Sequence, residues 1–179
     1  MFNIFYYCEK NIHNHNYYFM STQLRYKPVA LLVVFICSVL AVNAQKLLLP
    51  AEITPDLLKN ICEDAAIKVD ETKDTYLKIT ETFTIFLDIN KDKKFIYLNT
   101  SYPLVEGTTP LQAYTLMNKL NREIILIKCY YIAEKNSIYY GYDFWTESGF
   151  SNRSLVNAIK MFSNAVSLSL QKDTDKLIK

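Results

Sequence analysis

The hydrophobic and polar positions along the chain change their period several times after residue 50. In three segments, apolar residues recur every three or four positions, which is the spacing of an amphipathic helix. The first predicted helix begins after the N-cap Thr54 and runs to about Lys68, and the second begins after Thr109 and ends near Arg122. The third begins after Ser151. The apolar stripe predicted for the second helix consists of Leu111, Tyr114, Met117 and Leu120.

Between these helices, apolar and polar residues alternate, and this period of two predicts β-strands. Polar turns join the strands into hairpins, so we expect an antiparallel sheet with the helices covering at least one of its faces. The predicted order is α-β-β-β-α-β-β-α, an α+β fold, and the polar tail from Lys172 is expected to fray. The predicted strands span residues 76–79, 82–89, 95–102, 124–133 and 138–146.

An unbroken apolar run of 14 residues, from Val29 to Val42, precedes this pattern. Basic residues come before the run at Arg25 and Lys27, and Ala44 follows it. This order of basic, apolar and small residues is typical of a secretory signal peptide that is cleaved after Ala44. A helix that crosses a membrane needs about 20 apolar residues, so no permanent membrane anchor is predicted. An uncleaved helix at the membrane interface is the alternative.

The chain is therefore predicted to have three parts. Residues 20–44 form the signal peptide, and a single α+β domain occupies residues 45–179, beginning at Gln45. Residues 1–19 show no periodicity, and we interpret them as an upstream extension that is not part of the fold. After cleavage, the mature protein is expected to be secreted or periplasmic.

Cleavage also changes the charge of the chain. The full sequence has 20 basic and 18 acidic residues, and removal of Lys10, Arg25, Lys27 and Glu9 leaves 17 of each. A net charge near zero provides no basic field for a nucleic acid partner, so none is predicted.

Both histidines, His13 and His15, are lost with the leader. A chain without histidine cannot form a Ser-His-Asp or Cys-His nucleophile, and it lacks the commonest metal ligand. The three glycines, Gly107, Gly141 and Gly149, are too scattered to form a phosphate-binding loop. The expected protein is therefore not an enzyme and has no metal or other cofactor.

Two cysteines remain in the predicted domain, Cys62 and Cys129. In an oxidising compartment they could pair as a disulfide. Both lie among apolar residues, however, where a free cysteine behaves as a small hydrophobic side chain. The sequence leaves both interpretations open.

The alternation within the strands predicts which side chains share a face of the sheet. If Ile85 and its apolar neighbours face the helices, then Phe86, Tyr130, Tyr139 and Trp145 lie on the opposite face. An exposed aromatic surface of this kind usually marks a partner-binding site. The alternative is that these side chains are covered within the monomer or by a dimer mate.

Two polar groups have structural explanations that we favour over functional ones. Asp143 and Glu147 flank the end of the last strand, but residues four apart on a strand lie about 13 Å from one another, too far for paired acid–base chemistry. Asn118, Asn121 and Arg122 end the second helix. We expect them to cap its C-terminus rather than bind a peptide carbonyl or carboxylate.

Three segments resemble the YbjN family, also described as bacterial sensory transduction regulators, which shares the type III secretion chaperone-like fold. They are the helix end from Met117 to Arg122, the strand from Ile138 to Phe144, and Gly149-Phe150 before the third helix. With the element order, the similarity covers about residues 54–170. It implies a non-enzymatic binding module, often dimeric, that holds a partner protein on its sheet or helix surface.

The predicted function is thus an exported protein-binding module, regulatory or chaperone-like, that forms a homodimer. The export signal separates it from the secretion chaperones, which work in the cytoplasm. A small-molecule or lipid carrier is the alternative, and it would need an apolar pocket between the sheet and the helices.

Overall fold

The computed structural model describes residues 47–179. The predicted signal peptide, its cleavage site between Ala44 and Gln45, and the predicted extension over residues 1–19 lie outside this range. Within it, no helix combines the length and the apolar character that crossing a membrane requires.

The described residues form three α-helices and six β-strands, together with two short 3-10 helices. Helices α1, α2 and α3 span Pro55–Asp64, Pro110–Glu123 and Asn152–Lys172. Strands β1 to β6 span Lys68–Thr72, Tyr76–Thr80, Thr84–Ile89, Phe95–Pro103, Lys128–Ile132 and Ser137–Trp145.

The six strands form one sheet in the order β1-β2-β3-β4-β6-β5, and every neighbouring pair is antiparallel. The predicted α+β class is therefore confirmed. The element order needs one correction, because four strands rather than three lie between the first and second helices. The additional strand is β1, which pairs with β2 at the edge of the sheet.

Strand β1 was missed because the first helix ends earlier than its apolar pattern predicts. The helix ends at Asp64, and Ala66 takes a left-handed conformation with φ of 58°. The backbone amide of Ile67 then donates to the carbonyl of Cys62 at 2.9 Å, which closes the turn. Neither Gly nor Asn occupies this turn, so the sequence carries no stop signal there.

The predicted helix starts are confirmed, but one predicted stripe is out of phase. Thr54, Thr109 and Ser151 each accept a hydrogen bond from a backbone amide of the first turn that follows. In α2, Leu111 and Tyr114 are exposed. The buried residues at helical spacing are Ala113, Leu116, Met117 and Leu120, which form a second stripe that shares two members with the predicted one.

The core lies between the helices and one face of the sheet. On β2, β3 and β4, alternate side chains point into it, and six of them are completely shielded from solvent. These residues are Leu77, Ile79, Ile85, Leu87, Ile96 and Leu98. Successive side chains of a strand point to opposite faces, so the residues between these six lie on the other face of the sheet.

The C-terminal tail is held in place, so the prediction that it frays was wrong. The amide of Val105 donates to the carbonyl of Leu177 at 2.8 Å, and Lys179 donates to Pro103 at 3.0 Å. Leu177 and Ile178 also pack against the core. The contacts of this apolar pair with the core hold in place a segment whose other residues are polar.

Cys62 and Cys129 are both free and buried, so the disulfide interpretation does not describe this structure. Cys62 lies on α1, which packs against β1 and β2, whereas Cys129 lies on β5 at the opposite edge of the sheet. Strands β2 and β5 are four strand spacings, or about 19 Å, apart, well beyond the reach of a disulfide. Burial raises the pKa of Cys62 to about 11 and that of Cys129 to about 12.

Candidate binding surface on the open face of the sheet

We call the side of the sheet away from the helices the open face. All four aromatic residues predicted for it lie there: Phe86 and Tyr139 are half-buried, while Tyr130 and Trp145 are 46% and 66% exposed. Further aromatic side chains from β2 and β4 share this face, namely Tyr76, Phe95 and Tyr97. Every strand except β1 therefore contributes at least one aromatic ring.

Cross-strand pairing places these rings beside one another. Phe95 and Trp145 are register partners, and their ring centroids lie 5.7 Å apart at one end of the sheet. Nearer the β1 edge of the same face, the rings of Tyr76 on β2 and Phe86 on β3 lie 6.0 Å apart. Such tilted pairs lie within the usual range of aromatic contact.

The most closely packed rings form the tyrosine cluster, which consists of Tyr97, Tyr130 and Tyr139. The ring centroids of Tyr130 and Tyr139 are 4.9 Å apart, and Tyr97 stacks on Tyr139 at 6.3 Å. Gly141 makes room for this arrangement, because a β-carbon there would overlap the Tyr97 hydroxyl and lie 2.6 Å from the Tyr97 Cζ. The glycine thus lets the Tyr97 ring lie flat across β6.

Two hydroxyl groups of the tyrosine cluster stay protonated at physiological pH. Burial raises the pKa of Tyr97 well above its ordinary value, and the neighbouring phenols of Tyr130 and Tyr139 raise it further. Burial, with smaller effects of Tyr130 and Asp88, raises the pKa of Tyr139 to about 12. Tyr97 and Tyr139 therefore present neutral rings with hydrogen-bonding hydroxyls.

A carboxylate lies next to these rings. Asp88 on β3 has Tyr76 and Tyr97 as its register partners on the neighbouring strands. The amide Nδ2 of Asn99, a residue that is only 5% exposed, donates to Asp88 Oδ2 at 2.6 Å. Burial raises the pKa of Asp88, although this hydrogen bond opposes the shift.

Asp143 and Glu147 have separate partners, as their spacing predicts. Asp143 Oδ2 lies 3.1 Å from Lys128 Nζ, and Glu147 Oε1 lies 3.2 Å from Lys94 Nζ. Lys128, Lys94 and Glu147 are exposed and Asp143 is partly exposed, and ion pairs at the surface contribute little to stability. The two carboxylates are not brought together as an acid–base pair.

Asn121 has a role that neither prediction for it described. Its Nδ2 donates to the carbonyl of Cys129 at 2.9 Å, and the amide of Cys129 donates to its Oδ1 at 2.8 Å. The side chain therefore binds both backbone groups of one β5 residue instead of capping α2. Arg122 pairs with Glu123, and Asn118 is exposed.

Tyr97 and Asn99 were not singled out from the sequence, and Asp88, which with Asp92 flanks a Lys-rich turn, was predicted not to form a calcium site. The alternation that located Phe86 also places Asp88 on its face, and the same pattern in β4 applies to Tyr97 and Asn99. The contact between Asp88 and Asn99 depends on the register of β3 against β4, which the hairpin turn alone does not determine.

A second apolar surface lies on the helix side, and no sequence signal indicated it. We call it the helix-side groove, a cavity of about 290 Å³ between α3 and the loop from α2 to β5. Ile125 is 83% exposed at its rim. Its other apolar lining residues include Leu126, Met161 and Leu168. Residues 124–127 had been predicted to be part of a strand, but β5 begins only at Lys128, and Leu126 has a positive φ of 82°.

The fold of residues 47–179 defines the class: an α+β protein in which one antiparallel sheet has helices on one face while its opposite face is open. Residues 54–169 match the family model YbjN, described as "Putative bacterial sensory transduction regulator". The chain belongs to the YbjN family, as its helix end, last strand and closing segment predicted.

A solved structure agrees with this assignment. The crystal structure of YbjN from E. coli, described as "a putative transcription regulator", has a TM-score of 0.59 with this chain at 11% sequence identity. The alignment covers 69% of this chain and 94% of that one, and at this identity it shows the shared fold alone. No curated protein sequence matches the chain significantly.

Proposed function

We propose that this protein is an exported, non-enzymatic regulatory module that binds a partner protein through the open face of its sheet. The observation that carries the proposal is the exposure of the aromatic side chains there, above all Trp145 and Tyr130. Aromatic residues are enriched at protein interfaces, where they supply much of the binding energy. The family description, a sensory transduction regulator, supports a regulatory role.

The hydrogen-bonded polar groups of the open face also support a protein ligand. Interfaces between proteins combine an apolar centre with polar groups that fix the register of the partner. Here, the tyrosine hydroxyls, the Asp88–Asn99 pair and the Lys128–Asp143 ion pair provide such groups beside the rings.

A double variant tests the proposal. Trp145→Ser with Tyr130→Ser removes the two most exposed rings and should abolish binding while the domain stays folded. The matched control is Ile125→Ser with Met161→Ser, which removes two exposed apolar side chains from the helix-side groove. The partner is identified by in-cell cross-linking and mass spectrometry, and its affinity for both variants is then measured with purified proteins.

The outcomes separate the alternatives. If the first variant unfolds, the two rings belong to the core and the proposal is wrong. If the cross-linked partner is a second copy of this chain, the open face is a homodimer interface, which is also how the expected dimer would form. Equal loss of binding in the control variant would contradict a role specific to the open face.

Export rests on the apolar run from Val29 to Val42 and on the small residue Ala44 after it. The mass of the protein recovered from its own cells tests this part. A mature chain that begins at Gln45 is the expected result, and an intact Met1 would contradict it.

The carrier alternative has one observation in its favour, the apolar lining of the helix-side groove. The space between sheet and helices is filled by side chains such as Leu58, Leu98 and Ile159, which are fully buried. A carrier would therefore hold its ligand in the helix-side groove. Native mass spectrometry should then show a mass above that of the chain, and the excess should disappear in the Ile125→Ser, Met161→Ser variant.

A further inference from the structure

Asp88 is a carboxylate on the central part of the open face with which no described residue forms an ion pair. Lys128 pairs with Asp143, and the charge of Lys78 acts on Asp70 and Glu71 at the β1 edge. Within residues 47–179, the only hydrogen bond of the Asp88 side chain is the one that its Oδ2 accepts from Asn99. No residue in this range donates a hydrogen bond to its Oδ1.

The surroundings of Asp88 fix its position. Asn99 is buried, so its amide holds one carboxylate oxygen at a defined point of the sheet. The register partners Tyr76 and Tyr97 lie on the two neighbouring strands. Asp88 also interacts electrostatically with Tyr139, which places the carboxylate within range of the tyrosine cluster. A half-buried anion is thus bordered by aromatic rings on both sides.

Aromatic rings and a carboxylate together recognise cations. The face of a tyrosine ring attracts a cation through its quadrupole. A partly desolvated carboxylate without a counter-charge is stabilised when a cation binds it. An isolated anion at such a position otherwise costs free energy because it has lost part of its hydration. The uncompensated charge therefore indicates what is missing from the site.

We propose that Asp88 and the rings beside it form a subsite for an arginine side chain of the protein partner. This inference rests on the proposed function, and it specifies the chemistry of the ligand. The guanidinium group would donate to Asp88 Oδ1 and stack against the rings of the tyrosine cluster.

Arginine fits the subsite better than lysine. A guanidinium group is planar, can stack on an aromatic ring while its edge donates to a carboxylate, and is more weakly hydrated than an ammonium group. Lysine carries a compact, strongly hydrated charge, and its transfer to a half-buried position costs more. The subsite offers flat rings beside one free oxygen, which is the geometry that a guanidinium group uses.

The test is an NMR titration of the full chain with N-acetyl-arginine amide. The matched probes are N-acetyl-citrulline amide, which has the same shape without the charge, and N-acetyl-lysine amide. The reporters are the Asn99 side-chain amide and the ring resonances of Tyr97 and Tyr139. Asp88→Asn keeps the shape of the side chain and removes the charge, and Asp64→Asn on α1 is the control for a change of net charge.

We expect the arginine probe to shift these reporters in a saturable way and to bind more tightly than either matched probe. Asp88→Asn should weaken its binding about tenfold or more, because a charge-assisted hydrogen bond is lost, whereas Asp64→Asn should leave it unchanged. Equal binding by citrulline or lysine, unchanged affinity in Asp88→Asn, or the absence of shifts on the open face would overturn the inference.

The inference and the proposed function fail in different ways. If Asp88→Asn binds the partner protein normally while Trp145→Ser with Tyr130→Ser loses it, the open face is the binding surface but the arginine subsite is wrong. If neither variant changes the affinity for the partner, the proposed function is itself wrong.

Discussion

The two faces of the sheet are built from alternate residues of the same strands, yet they differ in chemistry. The covered face carries Leu and Ile side chains that are completely shielded from solvent, such as Leu87 and Leu98. The open face carries rings and hydrogen-bonded polar groups, such as Tyr97 and the Asp88–Asn99 pair. Because burial of apolar area supplies most of the folding free energy, the covered face can stabilise the fold while the open face remains available for recognition.

The outer edge of the sheet, at β5, is partly blocked by a side chain. Both backbone groups of Cys129 bind the side chain of Asn121, so they are unavailable to an additional strand. Unprotected edges are sites of unwanted pairing between chains. The Asn121 side chain therefore disfavours strand addition at Cys129, which is consistent with the proposed recognition through the open face.

The largest expected effect is on the covered face. Leu98→Ala should lower the free energy of unfolding by about 2 to 5 kcal/mol, because it removes buried methyl groups from the central strand and leaves a cavity. Trp145→Ser should change it by less than about 1 kcal/mol, since the ring is largely exposed. Chemical denaturation measures both values, and comparable losses would mean that the two faces do not differ as described.

The next effect tests the edge. Asn121→Ala removes both hydrogen bonds to Cys129 and should lower the free energy of unfolding by about 1 to 3 kcal/mol. Asn118→Ala, three residues earlier and exposed, is the matched control, with an expected change within about 0.5 kcal/mol. Faster hydrogen exchange of β5 amides in the first variant would show where the loss occurs, and equal effects of the two substitutions would rule out this role.

A smaller effect is expected where Gly141 lies beneath the Tyr97 ring. Gly141→Ala should displace the ring and shift the resonances of the tyrosine cluster, with a stability cost of about 1 kcal/mol. In a Tyr97→Ala background the same substitution should cost nothing, because the obstructing ring is absent. A double-mutant cycle measures this coupling, and an unchanged cost in that background would refute the contact.

The smallest expected effect, that of Asp88→Asn, is a gain in stability rather than a loss. Burial raises the pKa of Asp88 in the folded state above its unfolded value near 4, so the folded chain binds the proton more tightly. The stability contributed by this group falls as the pH rises from about 4 through the raised pKa, and at neutral pH the charged carboxylate costs free energy.

Asp88→Asn should therefore raise the free energy of unfolding at pH 7, by less than about 1 kcal/mol. This gain in stability should shrink as the pH falls through the raised pKa of Asp88 towards about 4. Denaturation at a series of pH values would detect the change. A loss of stability at pH 7, with a loss that grows as the pH rises, would contradict the direction of the pKa shift. A charged group that lowers the stability of the free protein is typical of a functional site.

Much of the fold was predictable because the local signals agree with it. The cap residues Thr54, Thr109 and Ser151 begin helices as expected, and the alternation around Phe86 places it on the correct face. The end of α1 was not predictable, because Ala66 adopts a left-handed turn without the glycine or asparagine that would signal it.

The candidate site was predictable only in part. Alternation identifies which residues share a face, and it located Tyr130, Tyr139 and Trp145. It does not reveal contacts between strands, such as the Asn99 amide on Asp88 or the fit of Tyr97 over Gly141, because these depend on register and side-chain rotamers. The link between Asn121 and Cys129 likewise depends on how α2 packs beside β5.

The most direct test of the open face is site-specific photo-cross-linking in the cells that make this protein. A photoreactive residue replaces Trp145 on the open face in one strain and Ile125 in the helix-side groove in another. We expect position 145 to cross-link to one partner protein, identified by mass spectrometry, and position 125 not to do so. Cross-links to that partner from position 125 alone, or from neither position, would contradict recognition through the open face.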